Sequence, residues 1–148
     1  TVTPDSPINP VDLVDPELRG ALKTIPNLKI TTDVNPSQVK MLRALTGLRR
    51  QPLDPTVAER VIPGRNGAPD VKVYIINAKE GERRPVIVHM HGGGYVLGDA
   101  VSFIPKLRMV AEALGCVIVT VDYRLAPETK FPGSLEDNYA ALLWTHAN

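Results

Sequence analysis

Two apolar runs, Pro85-Val-Ile-Val-His-Met90 and Cys116-Val-Ile-Val-Thr-Val121, limit the folds open to this chain more than any other feature. Each is of strand length, and neither alternates polar with apolar residues, the pattern of strands covered on both faces in a parallel sheet. Between them Phe103, Leu107, Val110, Ala111 and Leu114 recur at helical spacing and end at Gly115, which tolerates the left-handed conformation that closes a helix. Parallel neighbours require a crossover of a dozen or more residues, and an amphipathic helix of this length supplies it. Residues 85–121 therefore read as a βαβ unit, and the fold class is α/β.

The flanking segments extend this frame. Val57–Ile62 ends at Pro63-Gly64, and Val71–Ile76 follows the turn-rich segment Arg65–Asp70, which predicts an antiparallel pair at a sheet edge. Residues 1–50 read as turns and short helices. Asp15 before Pro16-Glu17 and Asn35 before Pro36-Ser37 are N-cap signals. Val39, Leu42 and Leu45 then share a helical face, with Lys40 and Arg43 on another and Gly47 as the C-cap. At the other end, Ser134 with Asp137 three residues on predicts a capping box, and Leu135, Tyr139, Leu142, Leu143 and His146 line one apolar face of the helix that follows. A helix after a buried parallel strand normally crosses back to another parallel strand, and no such strand follows. The sheet reads as unfinished, and the chain as truncated or as one piece of a larger molecule.

Composition narrows the function classes. Seventeen basic and sixteen acidic residues leave a net charge of +1, and no run of like charge is longer than a pair, so nucleic acid is not an expected partner. The longest apolar runs fall far short of the roughly 20 residues that a membrane-spanning helix requires. The opening Thr1–Pro7 has neither a basic nor an apolar leader region, and the expectation is a soluble, cytoplasmic protein. Cys116 is the one cysteine, which rules out an intrachain disulfide and reads as a buried small hydrophobe. His89 and His91 have the spacing of a metal pair, but a zinc site requires at least three protein ligands and no third is apparent. No metal and no cofactor are implied.

The chemistry-bearing feature is His91-Gly92-Gly93-Gly94-Tyr95, directly after the first apolar run. Three consecutive glycines cost backbone entropy, so something there requires backbone without side chains. A phosphate cradle lacks its Gly-Lys-Ser/Thr ending and its spaced glycines. Backbone N–H groups aimed at the oxyanion of acyl transfer fit, and so does a plain flexible turn.

The triglycine loop, followed by Val121-Asp-Tyr-Arg-Leu-Ala-Pro-Glu128 and Phe131-Pro-Gly133, resembles the hormone-sensitive-lipase-like esterases, well over residues 50–148 and loosely before them. The resemblance implies an α/β-hydrolase fold: a helical cap segment over 1–50, then the N-terminal half of the catalytic domain and its mostly parallel sheet over 51–148. It also implies that the Gly93 and Gly94 N–H groups bind the oxyanion, with Gly92 and His91 shaping the loop and Tyr95 beside the substrate. Asp122, Tyr123, Arg124, Pro127 and Glu128 are then structural, with Arg124 holding the loop around Pro127.

The family nucleophile is the serine of Gly-x-Ser-x-Gly. None of Ser6, Ser37, Ser102 and Ser134 lies in that motif, so the nucleophile, acid and base are expected outside this chain. The implied activity is hydrolysis of small carboxylic esters with short to medium acyl chains, through an acyl-enzyme. Leu18, Leu22, Met41, Leu42 and Leu45 of the cap would cover the pocket, core packing being the plainer role for each. The implied partners are the ester and the remaining C-terminal half of the domain, on the same gene product or a second chain; a homo-oligomer is compatible with the sequence. Two rival readings stand beside this one. One is a non-catalytic small-molecule receptor of the same fold. The other is an inactive fragment, poorly soluble because its last parallel strand exposes an unpaired edge.

Overall fold

A computed structural model describes residues 9–22, 36–47 and 52–148. The chain divides into two compact units, Thr1–Asp33 and Val34–Asn148. The first contains the short helix α1, Pro16–Leu22. Asp15 caps it as expected, its Oδ1 accepting from the Glu17 N–H at 3.0 Å. Arg19 turns back to donate to the carbonyls of Val14 and Asp12 at 2.9 and 3.0 Å. Leu18 of this helix is exposed.

The second unit begins with α2, Pro36–Gly47, in which Val39 is buried, Leu42 half-buried and Met41 exposed. The expected Asn35 cap and the Leu45 side chain lie outside the described residues. Four strands follow: β1 (Ala58–Ile62), β2 (Val71–Ile76), β3 (Val86–Met90) and β4 (Val117–Asp122), in the sheet order β1-β2-β4-β3. β1 pairs antiparallel with β2, β2 antiparallel with β4, and β3 parallel with β4. The helix α3, Ile104–Leu114, joins the two parallel strands, and α4, Gly133–Ala147, follows β4.

Alternation along the strands divides the core into two layers. Tyr74, Ile76 and Ile118 face one side, where they meet Ile104, Leu107 and Ala111 of α3 together with Cys116. Val71, Val73, Val119 and Val121 face the other, where they meet Ala140 and Ala141 of α4. Helices thus cover both faces of the sheet, the α/β arrangement expected. Gly115 ends α3 at φ 62°, its N–H returning to Ala111, as the sequence predicts. Asn77, also left-handed at φ 62°, donates to the Ala111 and Cys116 carbonyls at 3.1 and 2.9 Å and so joins the end of α3 to the start of β4.

Four expectations are corrected. β4 is covered on both faces, but β3 is not: Val86, Ile87 and Met90 are exposed. Among the described residues β3 is the edge of the sheet and β4 lies inside it, so the unpaired edge belongs to the first parallel strand. Leu114, expected on the packing face of α3, is also exposed, because the helix turns it past the sheet at its last residue. Ser134 does not cap α4; its hydroxyl donates to the Arg124 carbonyl at 2.5 Å, and Asp137 turns inward to the Arg124 guanidinium. That anchor rotates α4 so that Ser134, Asp137, Asn138, Ala140 and Ala141 face the sheet, while Leu135, Tyr139, Leu142, Leu143 and His146 face outward. An apolar stripe marks a face that prefers to be covered, but it does not say by what.

Candidate active site

β3 delivers the chain into the glycine loop through His91, which is buried although its neighbours are exposed. Its ring stacks on Tyr123, with centroids 4.2 Å apart and planes 11° from parallel. Phe103 lies 6.1 Å beyond. The Tyr123 hydroxyl donates to the His91 carbonyl at 2.5 Å, and His91 Nδ1 lies 3.0 Å from the Gly92 carbonyl, to which it donates. Burial, with Tyr95 nearby as a lesser cause, pushes the Tyr123 phenol pKa up and keeps it a donor. The sequence assigns His91 and Tyr123 to separate motifs; β4, packed beside β3, stacks them.

The turn that follows requires glycine at specific points. Gly93 has φ 133°, and a Cβ placed there would collide with the Leu97 carbonyl. Its own carbonyl accepts from the Val96 and Leu97 N–H groups at 3.1 and 2.9 Å. Gly94 also has a positive φ, 63°, with open space where a Cβ would stand. Among the described residues neither the Gly93 nor the Gly94 N–H meets an acceptor, and both residues are exposed. Tyr95 is itself left-handed, φ 61°, a conformation costing a non-glycine residue about 1–2 kcal/mol, and the Ala126 N–H holds it by donating to the Tyr95 carbonyl at 2.8 Å. Its side chain is exposed beside the two free N–H groups in sequence.

Three further residues of this region escaped the sequence reading. A Cβ on Gly98 would come within 2.6 Å of the Gly92 carbonyl and 2.9 Å of His91 Nδ1, so its absence makes room for the loop to fold back. The signal was a fourth glycine five residues after the second of the run. Asp99 accepts from Ser102 at 2.9 Å through both N–H and hydroxyl, fastening the 3-10 turn Val101–Phe103 that precedes α3, and Asp122 accepts from the Ala100 N–H at 3.0 Å. Arg43 of α2 reaches the same loop, and no local pattern marks it.

The structural group downstream separates into two ion pairs. Arg124 donates to the buried Asp137 carboxylate from Nε (3.1 and 2.9 Å) and Nη2 (2.7 Å), and its backbone N–H adds a fourth bond at 2.9 Å. Glu128 pairs instead with Arg43 at 2.8 Å, which holds its carboxyl below the usual glutamate range. Arg124 thus ties the loop to α4, and Glu128 ties the stretch around Pro127 to α2.

His89 Nδ1 lies 2.9 Å from Thr120 Oγ1 on β4. Burial, and secondarily the nearby His91, push its pKa below the ordinary 6.5. The fold therefore favours neutral His89: its contribution to stability is complete above the unfolded-state value and is lost as pH falls through the lowered folded one. An NMR titration of the ring protons is expected to give a midpoint below 6.5, and His89→Gln is expected to reduce the loss of melting temperature between neutral and acid pH. A midpoint at or above that value contradicts the account. Among the described residues no three His, Cys, Asp or Glu side chains stand close enough to hold a metal ion, and no helix is long and apolar enough to cross a membrane.

The strand–helix–strand unit, the sheet order and the glycine turn at the end of β3 define the class, an α/β-hydrolase fold, and the sequence pattern of the family so described matches residues 87–148. The esterase LipI of Mycobacterium tuberculosis is 33% identical over 134 residues, 88% of this chain and 41% of the relative. Human hormone-sensitive lipase is 38% identical over 79 residues, 53% of this chain and 7% of the relative. A solved structure described as a bacterial heroin esterase superposes with a TM-score of 0.72 at 38% identity, over 94% of this chain and 44% of that one. Over the stretch it shares with them, the chain is similar to the hormone-sensitive-lipase-like carboxylesterases of the α/β-hydrolase fold. It spans about two fifths of the length of curated esterases such as LipI.

Proposed function

We propose that this chain is the part of a serine carboxylesterase that stabilises the oxyanion and shapes the substrate pocket, with nucleophile, acid and base supplied from outside it. The observation that carries this reading is the pair of free N–H groups at Gly93 and Gly94, in a turn that admits no side chain at Gly93. When a serine oxygen adds to an ester carbonyl, the π electrons move onto the carbonyl oxygen, and two preorganised N–H donors stabilise the charge that develops there. Collapse of that intermediate expels the alcohol and leaves an acyl-enzyme; water repeats the addition and releases the acid. Gly92 and His91 shape the loop, Tyr95 stands at the substrate, and α2 covers the acyl or alcohol pocket. Further support comes from β3 and α4: their exposed apolar side chains are where the nucleophile-bearing half of the domain would pack.

Purified alone, this chain is expected to leave p-nitrophenyl acetate and butyrate intact. Joined to the polypeptide that carries Gly-x-Ser-x-Gly, here called the complete enzyme, it is expected to hydrolyse both and to be inactivated by a serine-directed phosphonate. Hydrolysis by this chain alone, insensitive to the phosphonate, overturns the divided site. A complete enzyme that binds esters without hydrolysing them favours a non-catalytic receptor.

A further inference from the structure

We infer that Arg43 is a positioning residue, which from α2 clamps the peptide units that aim the Gly94 N–H. The inference rests on the oxyanion reading above for its catalytic consequence, but not for its geometry. The Gly94 N–H belongs to the same rigid peptide plane as the Gly93 carbonyl, so whatever holds that carbonyl sets the direction of the donor. Two N–H groups hold it, those of Val96 and Leu97, at 3.1 and 2.9 Å.

Each of those N–H groups belongs in turn to a peptide plane pinned at its carbonyl. The Leu97 N–H shares a plane with the Val96 carbonyl, to which Arg43 Nε donates at 2.8 Å. The Val96 N–H shares a plane with the Tyr95 carbonyl, which accepts from the Ala126 N–H at 2.8 Å. Arg43 also grips Ala126 itself: its Nη2 donates at 2.6 Å to that residue's carbonyl, in the peptide plane next to the one that carries the Ala126 N–H. Both chains of peptide dipoles therefore converge on the Gly93 carbonyl; the guanidinium holds Ala126, whose N–H ends the second, and stands at the outer end of the first. Aligned hydrogen bonds polarise one another, so a cation at that end also makes the Gly94 N–H a stronger donor.

Glu128 completes the clamp by accepting from Nη1 at 2.8 Å and from Nη2 at 3.1 Å, a fork-to-fork pairing that fixes the guanidinium plane. Lysine could supply the charge, but not donors to two carbonyls and a carboxylate in one plane. Arg43 is 53 residues from Val96, 83 from Ala126 and 85 from Glu128, so only the packed cap brings these groups together. A role limited to holding α2 in place predicts a loss of stability without a change in chemistry.

The test compares Arg43→Gln, Arg43→Lys, Glu128→Gln and the double variant Arg43→Gln/Glu128→Gln in the complete enzyme. Removing a whole oxyanion donor typically costs about 10²–10³ in rate, so misaiming one is expected to lower kcat by about tenfold or more in Arg43→Gln, with KM changed less than about threefold. Arg43→Lys is expected to show most of that loss while keeping the fold. Glu128→Gln is expected to show a smaller loss, which disappears in the Arg43→Gln background because the two act as one unit. Amide exchange at Val96 and Leu97, read by NMR or mass spectrometry, is expected to accelerate in both Arg43 variants. Unchanged kcat in Arg43→Gln and Arg43→Lys overturns the inference, as does a change confined to melting temperature or KM with exchange at 96–97 as in the parent. Should the complete enzyme hydrolyse no ester, the exchange measurement still decides: faster exchange upholds the clamp while the esterase reading falls, and unchanged exchange removes the clamp.

Discussion

Gly93→Val in the complete enzyme is expected to lower kcat by about 10²–10³-fold or more, while circular dichroism and melting temperature stay close to the parent. The backbone there has φ 133°, which a β-branched residue does not adopt, and the new side chain would occupy the position of the Leu97 carbonyl. Relief requires the turn to open, which breaks the bonds from Val96 and Leu97 to the Gly93 carbonyl and turns the proposed donors away from the reacting carbonyl. Because the turn is exposed and both core layers lie elsewhere, the damage stays local. Gly94→Ala is the internal control: with φ 63° and open space at its Cβ it meets strain of about 1–2 kcal/mol but no collision, and its loss of rate is expected to be smaller. Equal kcat in the parent and Gly93→Val would remove the oxyanion assignment.

The largest effect on stability is expected from Arg124→Ala. Asp137 is 1% exposed, and its carboxylate takes three guanidinium contacts and one backbone N–H, all from Arg124. Removing the guanidinium strands a buried charge, and breaking such a pair by deleting one partner costs about 3–5 kcal/mol. At roughly 2–4 °C per kcal/mol for a domain of this size, the melting temperature is expected to fall by about 10 °C. Arg124→Lys, which keeps a cation but loses the fork, is expected to fall between the two. A shift below about 3 °C would show that the pair contributes little beyond orientation.

What could be read from the residues themselves was whatever a short window encodes. The runs at 71–76, 85–90 and 116–121 are strands, the spacing from Leu107 to Ala111 is a helix, and Gly115 closes it, because each depends on residues within a few positions of one another. The resemblance to the family followed from two motifs separated by one βαβ unit. Gly98 and Asp99 were within reach of the same logic, since a glycine and an aspartate bonded to a serine three residues on are local signals. Ser134 and Asp137 had the local form of a capping box, but Arg124 offered both a stronger partner, and tertiary competition prevailed.

The sequence by itself determined the α/β class, the strand that feeds the glycine loop and the place of that loop in the chain, because backbone sterics and hydrophobic period act between near neighbours. Only the tertiary structure decided that β4 lies inside the sheet and β3 at its edge, that α4 turns its small and polar residues inward, and that Arg43 grips Val96, Ala126 and Glu128. These depend on which segments become neighbours once the sheet orders itself β1-β2-β4-β3, and a guanidinium carries no local mark of a carbonyl 53 residues away.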